Sequence, residues 1–159
     1  MNMQNFFDAG TADIIVNLFV ALLLGMIIGL ERLWAHKTAG MRTYALVSMG
    51  SALFVSISNE AIKIYSHFNG MNPLVIVSQI VLGVGFLGTG LIFSKDSHMV
   101  GLTTATGLWV CSGIGMAAGF GLYSIAFIAT IMTIFVFSVL WMIEEQLKKI
   151  KSFKEDHTL

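Results

Sequence analysis

Glu31 and Arg32 stand side by side at the end of Ile14 to Leu30, a run without a single charge. A helix rises about 1.5 Å per residue and the hydrocarbon layer is about 30 Å thick, so a crossing needs roughly 20 residues. Extended one way the run meets Asp13, and extended the other it meets Glu31. Ionisable chemistry is therefore expected at bilayer depth. Arg32 can reach water along its own stem, whereas the shorter carboxylate of Glu31 snorkels poorly and calls for a partner or a wet cavity. A carboxylate so placed could bind a cation or exchange a proton, with the neighbouring guanidinium as its counter-charge. The plainer reading is a boundary pair marking where lipid ends.

Further candidates surround this pair. Arg42 is a second charge partner, with Thr43 beside it, and Thr103 with Thr104 face them from the second half of the chain. Two uses of the cluster stay open. It is either a cation or proton pathway, or a clamp that holds a cytoplasmic loop against the bundle in a protein that transports nothing. Magnesium is held through carboxylates and retained waters, and within one chain only Glu31 stands at depth. No metal ligand set is assigned, and a transient Mg2+ is the only cofactor entertained. A ring of Glu31 residues around an oligomer axis would supply more ligands. Asn17 and Gln79 form a polar layer toward the other side, where they either line a path or tie helices together by hydrogen bonds of about 0.6 to 2 kcal/mol each. His36, His67, His98 and His157 are scattered over both sides and make no ligand pair or nucleophile–base arrangement, so the chain is not expected to be an enzyme. His36 and His98 lie in loops and could respond to pH. Cys111 sits inside an apolar run and reads as a small packed residue.

The elements that position these residues follow from the solvent. With 56% hydrophobic and 11% charged residues, one proline and mean hydropathy +0.82, there is too little polar surface to cover a soluble globule. The chain reads as all-α, a polytopic membrane protein in contact with the lipid bilayer. Four charge-free stretches, the last divided at Gly119–Phe120–Gly121, predict five helices near 14–31, 43–59, 74–94, 102–118 and 123–143. Eight of the nine basic residues fall on one side, which places the N-terminus outside and the C-terminus in the cytoplasm. Residues 1–143 form the transmembrane domain and 144–159 a basic cytoplasmic tail, either lying on anionic headgroups or simply solvated. The N-terminus lacks the basic start of a cleavable signal, so the first span is expected to be retained. No second, soluble domain and no nucleic-acid-binding patch are expected.

A shift of 61 residues lays Gly29, Leu30, Gly40, Thr43 and Ser51 on Gly90, Leu91, Gly101, Thr104 and Ser112. This is the pattern of a parallel hairpin repeat about an axis along the membrane normal. Small residues mark the expected packing surfaces. Asn17, Ala21, Gly25 and Gly29 form a stripe that Arg32 continues, and Thr104, Gly107, Cys111 and Gly115 form another. Gly83 and Gly90 share one face of the third helix while Gly85 and Gly88 share the opposite one, so that helix is expected to be sandwiched. The fifth, with Phe127, Ile131, Ile134, Phe135, Phe137 and Leu140, is expected to face lipid.

Four ordered blocks, Gly25-Met-Ile-Ile-Gly-Leu-Glu-Arg32, Ala39-Gly-Met-Arg-Thr43, Gly83-Val-Gly-Phe-Leu-Gly-Thr-Gly90 and Gly101-Leu-Thr-Thr-Ala105, resemble the signature of the MgtC/SapB family of bacterial inner-membrane proteins over about residues 14 to 143. The resemblance implies five membrane helices with a cytoplasmic C-terminus. It also implies an association with magnesium limitation, acid tolerance and survival inside host cells, and contact with other membrane proteins such as the F-type ATP synthase. Ion homeostasis with transport of magnesium or protons is the leading expectation, a regulator of other membrane proteins the alternative, and homo-oligomers are expected in either case. Longer members of the family add a soluble C-terminal domain, whereas here only 16 residues follow Ile143.

Overall fold

The computed structural model describes residues 9–65, 72, 74–95 and 97–147. Helix α1 covers Ala9–Trp34, α2 Met41–Ile64, α3 Leu74–Thr89, α4 Leu102–Gly119 and α5 Tyr123–Phe135. A π-helical turn, Val136–Leu140, follows α5, and the apolar rod that begins at Tyr123 runs on to Leu147. The all-α expectation and its five helices are found. Among the described residues three helices are long and apolar enough to cross a membrane, namely Gly10–Trp34, Met41–Ile64 and Tyr123–Leu147. Helix α3 is apolar but shorter, with 16 residues spanning about 24 Å at 1.5 Å each. Helix α4 is the enclosed one, with ten of its 18 residues buried, and small residues such as Gly107, Ser112 and Gly115 let its neighbours close around it.

The interior is organised on α2. Its column Tyr44, Ser48 and Ala52 recurs every four residues and is clamped from two sides. On one side a Cβ at Gly25 of α1 would stand 2.6 Å from the Tyr44 carbonyl oxygen, and one at Gly29 would stand 2.5 Å from the Met41 Cα. On the other, a Cβ at Gly115 of α4 would overlap the Ser48 carbonyl, and one at Gly119 would lie 2.8 Å from the Ala52 oxygen. Backbone meets backbone at both crossings. The α4 residues 107, 115 and 119 meet α2 at 44, 48 and 52 in ascending order, so these two helices run parallel, while α1 runs against them. Cys111 lies fully buried in this seam, its thiol 3.3 Å from the Tyr44 carbonyl.

Three expectations need correction. The third helix was expected to reach residue 94, but α3 stops at Thr89, and β1 (Phe93–Lys95) pairs antiparallel with β2 (His98–Val100). The reason lies at Gly101, whose φ of +91° and close approach to the Leu91 carbonyl exclude a side chain. That contact folds the start of α4 back onto the chain leaving α3, and the hairpin satisfies backbone groups that a longer helix would otherwise pair. Second, α3 is not sandwiched. Only Ile80, Val84 and Gly88 are buried, Leu82 and Phe86 are 71% and 78% exposed, and nothing lies within 4 Å of a Cβ at Gly83 or Gly85. Gly88 alone of the four meets another helix, with Ala105 at 3.5 Å, while Gly90 touches its own turn at Leu87. Third, α5 presents Phe127, Ile131 and Phe135 outward as expected, but Ala126, Thr130, Thr133 and Phe137 are buried. The π turn carries Phe137 into the core. Of the basic tail, only Glu144 to Leu147 are among the described residues; the lysines at 148, 149, 151 and 154, with His67 and His157, lie outside them.

Candidate functional site: a charged pair sealed into the bundle

Helix α1 ends in a geometry that fixes its last turn. The Lys37 amide donates to the Arg32 carbonyl at 3.0 Å and the His36 amide to Leu33 at 3.1 Å, with His36 at φ 52°. This is the Schellman arrangement, here with a histidine in the left-handed position that usually holds glycine. It anchors the backbone that carries Glu31 and Arg32.

Arg32 continues the Asn17–Ala21–Gly25–Gly29 stripe and is therefore turned inward, leaving the residue 2% exposed. Its Nε donates to a carboxylate oxygen of Glu31, which stays on the flank with its side chain 16% exposed. The guanidinium carbon lies 3.5 Å from the centre of the Phe137 ring. A planar cation on an aromatic face inside a desolvated site is attracted by about 2 kcal/mol. Arginine keeps its charge under any ordinary condition, so burying it is tolerable only with these partners. Gly107 supplies the space: a Cβ there would meet the Tyr44 hydroxyl at 2.5 Å and the Phe137 ring edge at 2.6 Å. The Tyr44 hydroxyl donates to the Thr104 carbonyl at 3.2 Å, which ties α2 to α4. The arrangement therefore combines a neutralised charge pair, a ring beneath it and a carboxylate that keeps partial access to the outside.

Not every predicted member joins it. Glu31 and Arg32 pair, Gly107 makes room for the Phe137 ring beneath Arg32, Thr104 is reached only through its carbonyl, which accepts from Tyr44, and Gly25, Gly29 and Gly115 make the backbone crossings that hold their helices. Arg42, Thr43 and Thr103 are exposed, and among the described residues Arg42 makes no ion pair. Arg42 stands two residues before Tyr44, about 200° around the helix, so it must face away when Tyr44 faces in. Tyr44 and Phe137 are the contributors that the sequence reading missed. Tyr44 begins the buried column of α2, and Phe137 ends the 126–130–133–137 spacing of α5, which is a legible helical stripe.

At the opposite end Asn17 ties helices together. Its amide nitrogen donates to the Gly119 carbonyl at 3.1 Å, and its oxygen accepts from the Tyr123 hydroxyl at 2.5 Å. Beside it lies a cavity of about 490 Å³ whose wall includes Asp13, Asn17, Ser56, Asn59, Glu60 and Lys63. Gln79 is exposed instead on an apolar groove of about 580 Å³ between α2 and α3, so the expected layer with Asn17 does not form within one chain. Among the described residues no group of three or more His, Cys, Asp or Glu is gathered to hold a metal ion.

Long apolar helices, a lipid-like exterior and a buried arginine held by a partly accessible carboxylate at one end define a helical membrane protein. The chain belongs to the MgtC family, whose family model matches residues 18–146. It is 40% identical over 131 residues to the Escherichia coli K12 protein named "Putative magnesium transporter YhiD", covering 81% of this chain and 61% of that one. It is 42% identical over 118 residues to protein MgtC of Salmonella typhimurium LT2, covering 74% of this chain and 48% of that one. It is 41% identical over 120 residues to protein MgtC of Brucella abortus, covering 76% and 48%. The chain thus spans about half to three fifths of the length of these curated relatives. No solved structure matches it.

Proposed function

We propose that this chain is a multi-pass inner-membrane protein of ion homeostasis, with all five helices crossing the bilayer, and that Glu31 is the group through which it takes up or releases a proton or small cation. The single observation that carries the reading is the buried Arg32, held by a carboxylate that is itself still partly accessible. Intramembrane ionisable groups are expensive and default to function. The name of the Escherichia coli relative supports magnesium as a cargo to test. The bias of basic residues supports a cytoplasmic position for the pair, and the parallel course of α2 and α4 supports a repeated helical hairpin. Magnesium and proton flux into liposomes, measured for the native protein, Glu31→Gln and Glu31→Asp, tests it. Flux lost in Glu31→Gln and partly restored in Glu31→Asp is expected. Flux indifferent to both changes refutes it.

A second reading is favoured by the open face of α3. Among the described residues nothing lies within 4 Å of a Cβ at Gly83, and Gln79 on the same face stands exposed among apolar residues. Such a face suits a second copy of this chain or another membrane protein, and the Glu31–Arg32 pair then acts as a clamp rather than a carrier. Cross-linking through Gly83→Cys in native membranes tests this reading. A discrete product is expected, and its absence removes the support.

A further inference from the structure

The hairpin between α3 and α4 has little support inside the chain. Its strands, Phe93–Lys95 and His98–Val100, hold three residues each, and all six are exposed. A lone two-stranded hairpin is marginal in water and needs a surface to pack on. It stands at the end of the bundle that holds Glu31 and Arg32. Gly101 after β2 opens α4, whose Thr104 carbonyl accepts from Tyr44 of α2, and Met41 of α2 lies against Gly29 of α1.

Two features of the hairpin select its surroundings. Side chains alternate along a strand, so Phe93 and Lys95 share a face with their cross-strand partners Val100 and His98. That face is apolar at its base and basic at its tip, and Met99 exposes a further apolar side chain on the other face. Against this apolar character, each strand has an outer edge of amide and carbonyl groups that the other strand does not pair. Such edges do not survive in hydrocarbon. The headgroup layer meets both demands, because water reaches the edges there while Phe93 and Val100 reach the upper acyl chains.

The charges at this end complement an anionic surface. Arg32 is engaged by Glu31, whereas Lys37, Arg42 and Lys95 are exposed and make no ion pair among the described residues. Glu144 and Glu145, on the α5 rod, have interactions of their own, and Asp96 lies outside the described residues. Trp34, 78% exposed on the last turn of α1, adds a ring of the kind that settles at the membrane–water interface. We infer that the β1–β2 hairpin lies in the headgroup layer at this end and, together with Lys37 and Arg42, binds anionic phospholipids. Lys95 at the tip meets the lipid phosphate, and Phe93 with Val100 lies beneath it. The inference rests on the crossing of α3 proposed above, which brings the end of that helix to the interface.

Tryptophan quenching in nanodiscs of phosphatidylcholine and phosphatidylglycerol tests it on the full chain. Trp34, Trp109 and Trp141 are replaced by phenylalanine, and Phe93→Trp supplies a single reporter. Bromines set high on the acyl chain should quench this reporter strongly, and chain-end bromines or aqueous iodide only weakly. With one lipid brominated at a time, phosphatidylglycerol should be enriched several-fold over phosphatidylcholine at the reporter. Lys95→Gln and Arg42→Gln should each lower that preference about two- to fivefold with the circular dichroism spectrum unchanged, and high salt should lower it as well. Strong quenching by iodide means that the hairpin stands in water, and no quenching by lipid or iodide means that a protein covers it; either result overturns the inference. Equal quenching by the two lipids, or a preference indifferent to both substitutions, overturns the anionic ligand. A companion reporter, Leu82→Trp in the same background, separates this inference from the crossing of α3, because chain-end bromines should quench it. If they do not, the five-helix crossing fails; if they do while the hairpin reporter meets only iodide, the crossing stands and the hairpin inference alone fails.

Discussion

Adding one methyl group at Gly25 should loosen the bundle, and the size of the effect can be worked from the crossing of α1 and α2. The new Cβ would stand 2.6 Å from the Tyr44 carbonyl oxygen, 2.7 Å from the Ser48 Cβ and 3.1 Å from the Ala45 Cα. Two of these neighbours are backbone atoms of a helix clamped on its other side by Gly115 and Gly119, so α2 cannot retreat. The helices must instead part by several tenths of an ångström. A gap of 0.5–1 Å forfeits about a quarter to a half of each dispersion contact across the seam, and overpacking typically costs about 1–3 kcal/mol. Replacing glycine in a helix interior returns at most about 1 kcal/mol of propensity. The net expectation for Gly25→Ala is a loss of about 1–2 kcal/mol. Gly83→Ala is the internal comparison, because a Cβ there meets nothing within 4 Å and only the propensity gain remains. Unfolding of the detergent-solubilised protein by increasing mole fraction of sodium dodecyl sulfate, followed by circular dichroism, separates the two. Gly25→Ala as stable as the native chain, or Gly83→Ala destabilised as much as Gly25→Ala, refutes the assignment of close backbone approach to the first site and open space to the second.

Other substitutions probe the charged end by the same assay. Arg32→Met leaves Glu31 without its guanidinium and should cost about 3–5 kcal/mol, and Arg32→Lys should rescue only part because an ammonium cannot lie flat on Phe137. Arg42→Ala, at an exposed position, should change stability by less than about 0.5 kcal/mol. Tyr44→Phe removes the bond to the Thr104 carbonyl and should cost about 0.6–1.5 kcal/mol. His36→Gly should stabilise by about 1 kcal/mol, because it relieves a left-handed backbone at the cap of α1.

The parts of this structure that were legible are those written in local spacing. Gly25 and Gly29 recur with Arg32 on one face, and any helix through them turns that arginine inward. The same rule applied to α2 separates Arg42 from Tyr44 by about 200°, so the exposure of Arg42 was readable once Tyr44, Ser48 and Ala52 were taken as the inner column. Grouping Arg42 with Glu31 rested on nearness in sequence and on charge, which act over many orientations. Phe137 was assigned to lipid because it sits among Phe127, Ile131 and Phe135, whereas the quieter stripe Ala126, Thr130 and Thr133 leads to it. In a membrane the large apolar residues do not mark the interior, because lipid accepts them as readily as protein does. Small and hydroxyl-bearing residues mark it instead.

What the spacing did not carry was the connection after α3 and the exposure of its glycines. The short hairpin of Phe93–Lys95 with His98–Val100 depends on Gly101 meeting the Leu91 carbonyl, a contact between residues ten apart with no periodic signature. Gly83 and Gly85 resemble Gly25 and Gly29 in the sequence, yet one pair is pressed against α2 and its N-cap, and a Cβ on the other meets nothing within 4 Å among the described residues. A glycine permits close approach but does not choose the neighbour; among the described residues α3 packs only on α4 and α2, while α1 packs on α2, α4 and α5. An apolar helix that exposes two glycines, a glutamine and Phe86 leaves backbone polar groups less shielded than lipid-facing leucines would. The same composition that made α3 look central is therefore a reason to seek its missing neighbour outside the chain, and the Gly83→Cys cross-link is the measurement that decides whether one is there.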